Sequence, residues 1–323
     1  MVSRSNAVVE KYLHTAVLLH EAVDALAVKP DGIYVDGTFG RGGHSRLILE
    51  RLGKNGRLIA FDQDPSAFEV GQALEDERFQ MIHGSFSRIQ EVLQQLDVDR
   101  VDGILLDLGI SSPQLEEARR GFSFRLDGPL DMRMDTSQGP TAAEWLASVS
   151  EIHLEEVIRN YGEERFAKQV ARAIVAARGR QPIVTTHQLA SIVASTVRSR
   201  GREDKQNPAT RTFQAIRIYL NQELEKLSLA LPKCVEMLNA GGRLVVISFH
   251  SLEDRTVKRF MREWADSDRL PKELPLREKE VQLLSRQKLR LIGKAIRPNT
   301  KEIANNPRAR SAIMRVAERT NTT

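Results

Sequence analysis

The chain has 323 residues, 41% hydrophobic and 28% charged, a balance that supports a folded core and excludes a disordered chain. Its single cysteine, Cys234, excludes an intrachain disulfide and any cysteine-rich zinc site, and fits a reducing cytoplasm. No run approaches the roughly 18 apolar residues of a membrane span, and residues 1–12 lack the pattern of a secretory signal. The net charge is only +5, but residues 168–217 and 281–323 each carry +8, leaving −11 for the rest. Two basic segments on an acidic body point either to a polyanionic partner or to two solvated arginine-rich faces.

In chain order, Leu19, Ala22, Val23 and Leu26 recur at helical spacing. Ile33-Tyr-Val35 is a short apolar strand ending at Asp36. A glycine-rich turn, 37–43, leads into a helix through Leu47, Ile48, Leu49 and Leu52. Residues 58–61 form a second strand ending at Asp62, residues 79–83 a third, and residues 104–106 a fourth ending at Asp107. Short apolar strands alternating with helices predict an α/β fold with a parallel sheet covered on both faces.

The next strand of this kind is 244–247, far beyond the roughly 30 residues that a plain crossover needs. The excess reads as helical. Thr141 and Glu144 form a capping-box pattern, a helix from Ser150 stops at Gly162, and Phe166, Val170 and Ile174 share a face. Residues 113–206 are therefore expected to be an inserted helical domain, with 1–112 and 207–323 forming the sheet domain. A single long helix from Arg211 through Leu231 returns the chain to the sheet. Ser251 opens another helix, and runs near 289–296 and 311–316 read as a terminal strand pair.

Chemistry concentrates at the strand ends. The run from Val35 to His44 joins a strand to a helix through Gly37, Gly40, Gly42 and Gly43. Such a loop brings backbone close to a ligand and offers the free N–H groups of a helix start. It serves a dinucleotide, a nucleotide-like cofactor or merely a tight turn. The dinucleotide pattern is not met, because its third glycine slot holds Ser45. Asp62, ending the second strand, is placed to accept both hydroxyls of a ribose, a feature shared by NAD and S-adenosylmethionine sites. Phe86, after the third strand, offers either an adenine-stacking face or a helix-entry contact. Asp107 tips the fourth strand.

These residues belong to a set of motifs that resembles the MraW-type small-subunit ribosomal RNA methyltransferases. The set comprises His14-Thr-Ala-Val-Leu-Leu, Tyr34-Val-Asp-Gly-Thr-Phe-Gly-Arg-Gly-Gly-His44 and Ile104-Leu-Leu-Asp-Leu-Gly-Ile-Ser-Ser-Pro-Gln114. It continues with Gly128-Pro-Leu-Asp-Met-Arg-Met-Asp135, Asn207-Pro-Ala-Thr-Arg-Thr-Phe-Gln-Ala-Ile-Arg217, Ser248-Phe-His-Ser-Leu-Glu-Asp254 and Asn306-Pro-Arg-Ala-Arg-Ser311. The resemblance implies a class I methyltransferase fold with a helical insertion that recognises substrate. It implies S-adenosylmethionine as donor and an N4-methylated cytidine in the decoding centre of 16S rRNA as product. It places cofactor contacts on Gly42, Gly43, His44, Asp62, Phe86, Asp107 and Gln114.

Amino-methyltransferases commonly place Asn, Asp or Ser before Pro-Pro-aromatic at the tip of the fourth strand. Here Asp107 is followed by Leu-Gly-Ile-Ser-Ser-Pro, so Asp107 either steadies the acceptor amine as a catalytic residue or anchors the cofactor. Ser111 and Ser112 read as caps, and His250 as a local backbone partner. The transfer requires no metal, and the seven histidines show no His-Glu-x-x-His spacing. The basic stretches 198–217 and 286–310 are expected to hold RNA phosphates. The competing readings are a non-catalytic RNA-binding assembly factor and a nicotinamide-dependent oxidoreductase.

Overall fold

The structure is a computed structural model that describes residues 16–198, 207–266 and 288–321. His14, Thr15, residues 199–206 of the first basic stretch and Arg286 of the second lie outside the described residues. The chain divides into two compact units: Met1–Gly109 with Lys226–Thr323, and Ile110–Glu225.

The first unit begins with α1 (Leu19–Leu26) and continues as β1 (Ile33–Asp36), α2 (Gly43–Arg51), β2 (Arg57–Asp62), α3 (Pro65–Gln72), β3 (Phe79–His83), α4 (Ile89–Gln95) and β4 (Val101–Asp107). After the second unit, its sheet resumes with β5 (Leu238–Ser248), α12 (Ser251–Ala265), β6 (Leu289–Leu291), α13 (Thr300–Asn305) and β7 (Ile313–Arg319). The seven strands lie in the order β3-β2-β1-β4-β5-β7-β6. Strands β1 to β5 pair in parallel, and β7 runs antiparallel to both β5 and β6. The expected terminal strand pair is thus present, and β7 is also the neighbour of β5.

Side-chain alternation divides the unit's interior between the two faces of this sheet. Val35, Ile59, Phe61, Ile104, Leu106, Leu244 and Val246 share one cluster with helix residues such as Leu93, Leu231 and Val257. Tyr34, Leu58, Leu105, Val245 and Ile247 share the other with Leu26 and Ile48. Both faces are covered, which is why these strands read as unbroken apolar runs. Outside the core, Arg315 of β7 donates two hydrogen bonds to Asp254 of α12, at 2.7 and 3.0 Å.

The order of strands places the site. The chain steps outward from β1 to β2 to β3, then returns to β4 on the other side of β1. The sheet therefore changes direction between β1 and β4, where the loops leaving adjacent carboxyl ends part and open a crevice. Asp36 pairs in register with Ala60 and Leu105, Asp62 with His83, and Asp107 with Ile247. All three acids are at carboxyl ends.

The second unit is helical: α5 (Ser112–Glu116), α6 (Ala142–Ser148), α7 (Glu151–Gly162), α8 (Ala167–Arg178), α9 (Thr186–Arg198) and α10 (Thr210–Asn221). The Thr141–Glu144 capping box is present, and the Ser150 side chain caps α7. Its core includes Leu154, Ile158, Val170, Ile174, Leu189, Phe213 and Ile216. Met132 and Met134 belong to this core, and Asp131 pairs with Arg133 at 2.8 Å. Asn221, buried on α10, accepts from the Met134 N–H and donates to the Met132 carbonyl, which pins the loop.

One expectation is corrected here. The single helix from Arg211 through Leu231 is two, α10 and α11 (Glu223–Met237), broken at Gln222 with φ 52°. The apolar spacing runs through the break, so it leaves no trace in the hydrophobic pattern. As a result α10 is grouped with the helical unit, which extends to Glu225.

Candidate active site

The site in the first unit is built from the loop after β1 and the tips of β2 and β4. Gly42 precedes α2 with φ 76°, and a Cβ there would meet the Phe39 ring at 2.7 Å, so only glycine fits. Gly43 opens α2 where a Cβ would strike that of Ala16 at 2.8 Å. The loop is tied down from below. Asp62 accepts the Gly40 N–H at 2.8 Å through Oδ2 and the Asp64 N–H at 2.9 Å through Oδ1. Each oxygen keeps a lone pair for a further donor, as a ribose acceptor requires. Burial pushes the Asp62 carboxyl up to about 6, and the nearby charges of Asp64 and Asp36 add to the rise.

Asp36 is 1% exposed at the end of β1. Its Oδ1 accepts the Thr38 N–H at 3.1 Å and its Oδ2 accepts the Ser45 hydroxyl at 2.7 Å. The Thr38 hydroxyl in turn accepts the Asp107 N–H at 2.6 Å, linking the tips of β1 and β4. His44, in the first turn of α2, is buried; its Nε2 lies 3.2 Å from the Val17 carbonyl and its Nδ1 3.7 Å from Asp107 Oδ2. Burial pushes the imidazole down to about 4, so the ring is neutral at ordinary pH.

Asp107 differs from the other two acids. Its Oδ1 is closed off from solvent and has no hydrogen-bond partner among the described residues. Burial, with the charges of Asp36 and Glu253, raises its carboxyl well above the usual range. Glu253, in the first turn of α12, is 2% exposed and accepts the Phe249 N–H at 2.7 Å and the His250 N–H at 3.3 Å. His250 Nδ1 accepts the Glu253 N–H at 3.4 Å, so its role is local to this turn.

Phe86 starts a short 3-10 turn (Phe86–Arg88) and packs, partly buried, against the core below β1 and β4. A Cβ on Gly37 would meet Phe86 Cβ at 3.0 Å, which places the side chain beside the loop leaving β1. Of the seven residues expected at the cofactor, Gly42, Gly43, His44, Asp62, Phe86 and Asp107 thus gather in this unit. Gln114 belongs to the second unit, where its Oε1 accepts the Ser111 N–H at 2.9 Å in a capping box. Sequence reasoning missed Thr38 and Ser45, which hold Asp36, and Glu253, a further buried acid whose charge acts on Asp107. Ser45 was visible only as the residue that broke the dinucleotide pattern, and Glu253 only as part of a helix opening.

A parallel sheet in this order, with an antiparallel seventh strand and acids at the tips of β1, β2 and β4, is the fold of a class I methyltransferase. The loop and strand-tip chemistry suits a ribose-bearing ligand with an anionic group facing the start of α2. The chain belongs to the MraW methylase family, whose profile matches residues 11–320. It is 74% identical over 310 residues to a Nitrosospira multiformis protein named ribosomal RNA small subunit methyltransferase H, covering 96% of this chain and 98% of that protein. A Nitrosomonas europaea protein of the same name is 67% identical over 311 residues, with the same coverage of each chain.

The Asp36–Ser45 bond is the most buried of the site's polar contacts. Ser45→Ala should destabilise the protein by about 1–3 kcal/mol, the cost of a buried acceptor left unmatched. The Ser45 hydroxyl favours the charged form of Asp36. The destabilisation measured by denaturant unfolding should therefore be largest at alkaline pH and shrink as falling pH protonates Asp36.

Proposed function

We propose that this protein transfers a methyl group from S-adenosylmethionine to the exocyclic N4 amine of a cytidine in the decoding centre of 16S rRNA, within the small ribosomal subunit. The observation that carries the reading is the gathering of Asp36, Asp62, Asp107, His44 and Phe86 around the crevice between β1 and β4 in a member of a methylase family. The names of its relatives support ribosomal RNA as substrate, and the motif resemblance supports the cytidine amine. The donor supplies an activated methyl group; the protein's work is binding and orientation.

Asp62 accepts the ribose hydroxyls, and Phe86 stacks on the adenine. The N–H groups of Gly43 and His44 at the start of α2 face the donor's carboxylate, while Gly42, whose own N–H is taken by the Phe39 carbonyl at 2.7 Å, shapes the turn beside it. Asp107, at the tip of β4, serves as a hydrogen-bond acceptor for the acceptor amine, and Gln114 is the further donor-binding residue that the motif resemblance assigns. That unit, placed by its sequence between the strands, recognises the RNA, which presents the target base unstacked.

The basic stretches offer fewer cations to phosphate than their charge indicates. Arg217 donates to Glu223 at 2.8 and 2.9 Å, and Arg211 Nη1 lies 3.4 Å from the Glu163 carbonyl. Arg315 is committed to Asp254, Arg290 pairs with Glu318, and Arg319 bonds the carbonyls of Val235, Glu236 and Leu238. Lys294, Arg297, Lys301 and Arg310 are exposed and form the phosphate-facing set. No helix among the described residues is long and apolar enough to cross a membrane.

Mass spectrometry of 16S rRNA from cells with and without the protein tests the reading. An N4-methylcytidine in the decoding centre should lose its N4 methyl when the protein is absent and regain it when purified protein and donor are added to isolated subunits. Unchanged rRNA would leave a non-catalytic assembly factor, and donor binding in calorimetry separates both from a nicotinamide enzyme. Asp62→Ala should weaken donor binding by roughly 10- to 100-fold, corresponding to about 1.5–3 kcal/mol of charge-assisted hydrogen bonding. Charge reversal at Arg297 and Arg310 should lower the log–log salt slope of RNA binding by about 0.7–0.9 for each phosphate that the variant no longer neutralises.

A further inference from the structure

Asp107, at the tip of β4, feels the charges of two other carboxyls, Asp36 from β1 and Glu253 from α12, the last beside His250. Those two are supplied with donors. Asp36 receives the Thr38 N–H and the Ser45 hydroxyl, and Glu253 receives two backbone N–H groups. Asp107 faces His44 instead, and the geometry there is specific. A carbonyl oxygen has no hydrogen to give, so His44 Nε2, 3.2 Å from the Val17 carbonyl, is the nitrogen that carries one. In the neutral ring Nδ1 is then a bare lone pair. Asp107 Oδ2 lies 3.7 Å from it. A carboxylate there would set two acceptors near each other, with Oδ1 buried and unpartnered and the charges of Asp36 and Glu253 acting on it. One proton on Oδ2 removes the first conflict and the like-charge repulsion, and it leaves Oδ1 a neutral oxygen, which is less costly to bury without a donor than a charged one.

We propose that, in the ligand-free protein, Asp107 carries a proton on Oδ2, the oxygen nearer the bare His44 Nδ1, and releases it when the cationic methyl donor binds. The inference rests on the methyltransferase reading above. S-Adenosylmethionine carries a sulfonium and an α-ammonium, and positive charge at the strand tips favours the ionised form of Asp107. The proton leaves to solvent, and Asp107 remains as a carboxylate whose buried Oδ1 can accept a hydrogen bond. His44 is in this account a positioning residue, because its fixed tautomer decides where the proton sits. The raised carboxyl of Asp107 and the lowered imidazole of His44 agree in direction with this assignment.

The sign follows from linkage. The free protein binds one more proton than the complex, so donor affinity rises with pH until Asp107 is ionised in the free protein, by at most about tenfold per pH unit. Proton release passes through a maximum in this window and falls to zero above it. Asp62 adds a second release near pH 6 on binding ribose, and this component persists without Asp107.

The test is calorimetry of S-adenosylmethionine binding to the full-length protein between pH 5.5 and 8.5, in buffers of different ionisation enthalpy. The expected result is net proton release in the wild type that drops in Asp107→Asn to the part contributed by Asp62. Carbon-13 NMR of aspartate-labelled wild-type protein supplies a reading that needs no variant. One carboxyl besides Asp62 should titrate above the ordinary carboxylate range in the free protein and shift downward when the donor is added. Proton-neutral binding across this pH range, release undiminished in Asp107→Asn, or no such carboxyl would overturn the proposal while leaving the methyltransferase reading in place. Absence of any donor binding would overturn both.

Discussion

The structure depends on keeping carboxyl groups buried at the end of a parallel sheet. Asp36, Asp62 and Asp107 end neighbouring or near-neighbouring strands, with Glu253 opening the helix after β5. Burying like charges together is costly unless each is hydrogen-bonded or neutralised. The loop after β1 follows from this constraint. Its Gly40 N–H, Thr38 N–H and Ser45 hydroxyl all point at carboxylates. The left-handed backbone at Gly40 and Gly42 lets the chain turn tightly enough to present them.

The same constraint links stability to function. A site that holds acids in partial deprivation of donors is less stable empty than filled, because a cationic, hydroxyl-bearing ligand supplies what the protein withholds. The neutral His44 belongs to this logic: its buried ring adds no charge to offset the acids. Preorganisation comes instead from the Thr38 hydroxyl joining the tips of β1 and β4 at 2.6 Å. Substitutions at Asp36 or Thr38 therefore act on the loop after β1 and on the tip of β4 together.

Charge in the basic stretches shows the converse. Net charge by sequence counts every arginine alike, yet Arg217, Arg315 and Arg319 are used inside their own units. A guanidinium offers five N–H donors and seldom stays idle near a carboxylate or a carbonyl row. Exposed cations such as Lys294 and Arg297 are what remains for a polyanion.

The sequence by itself determined the strands and their ends. A strand buried on both faces must be continuously apolar, so Ile33–Val35, Ile104–Leu106 and 244–247 announce themselves, and the acid after each of the first two marks a carboxyl end. Glycine at Gly42 and capping pairs such as Thr141 and Glu144 are similarly local signals. Tertiary structure alone decided what depends on residues far apart in the chain. The break at Gln222 is invisible because apolar spacing continues across it, and the antiparallel seat of β7 beside β5 is a matter of pairing, not composition. That Ser45 serves Asp36, that the charge of Glu253 acts on Asp107, and that Val17 fixes the tautomer of His44 were equally out of reach. Hydrogen bonds and field effects act over a few ångströms of space, and only the folded chain brings those atoms within that range.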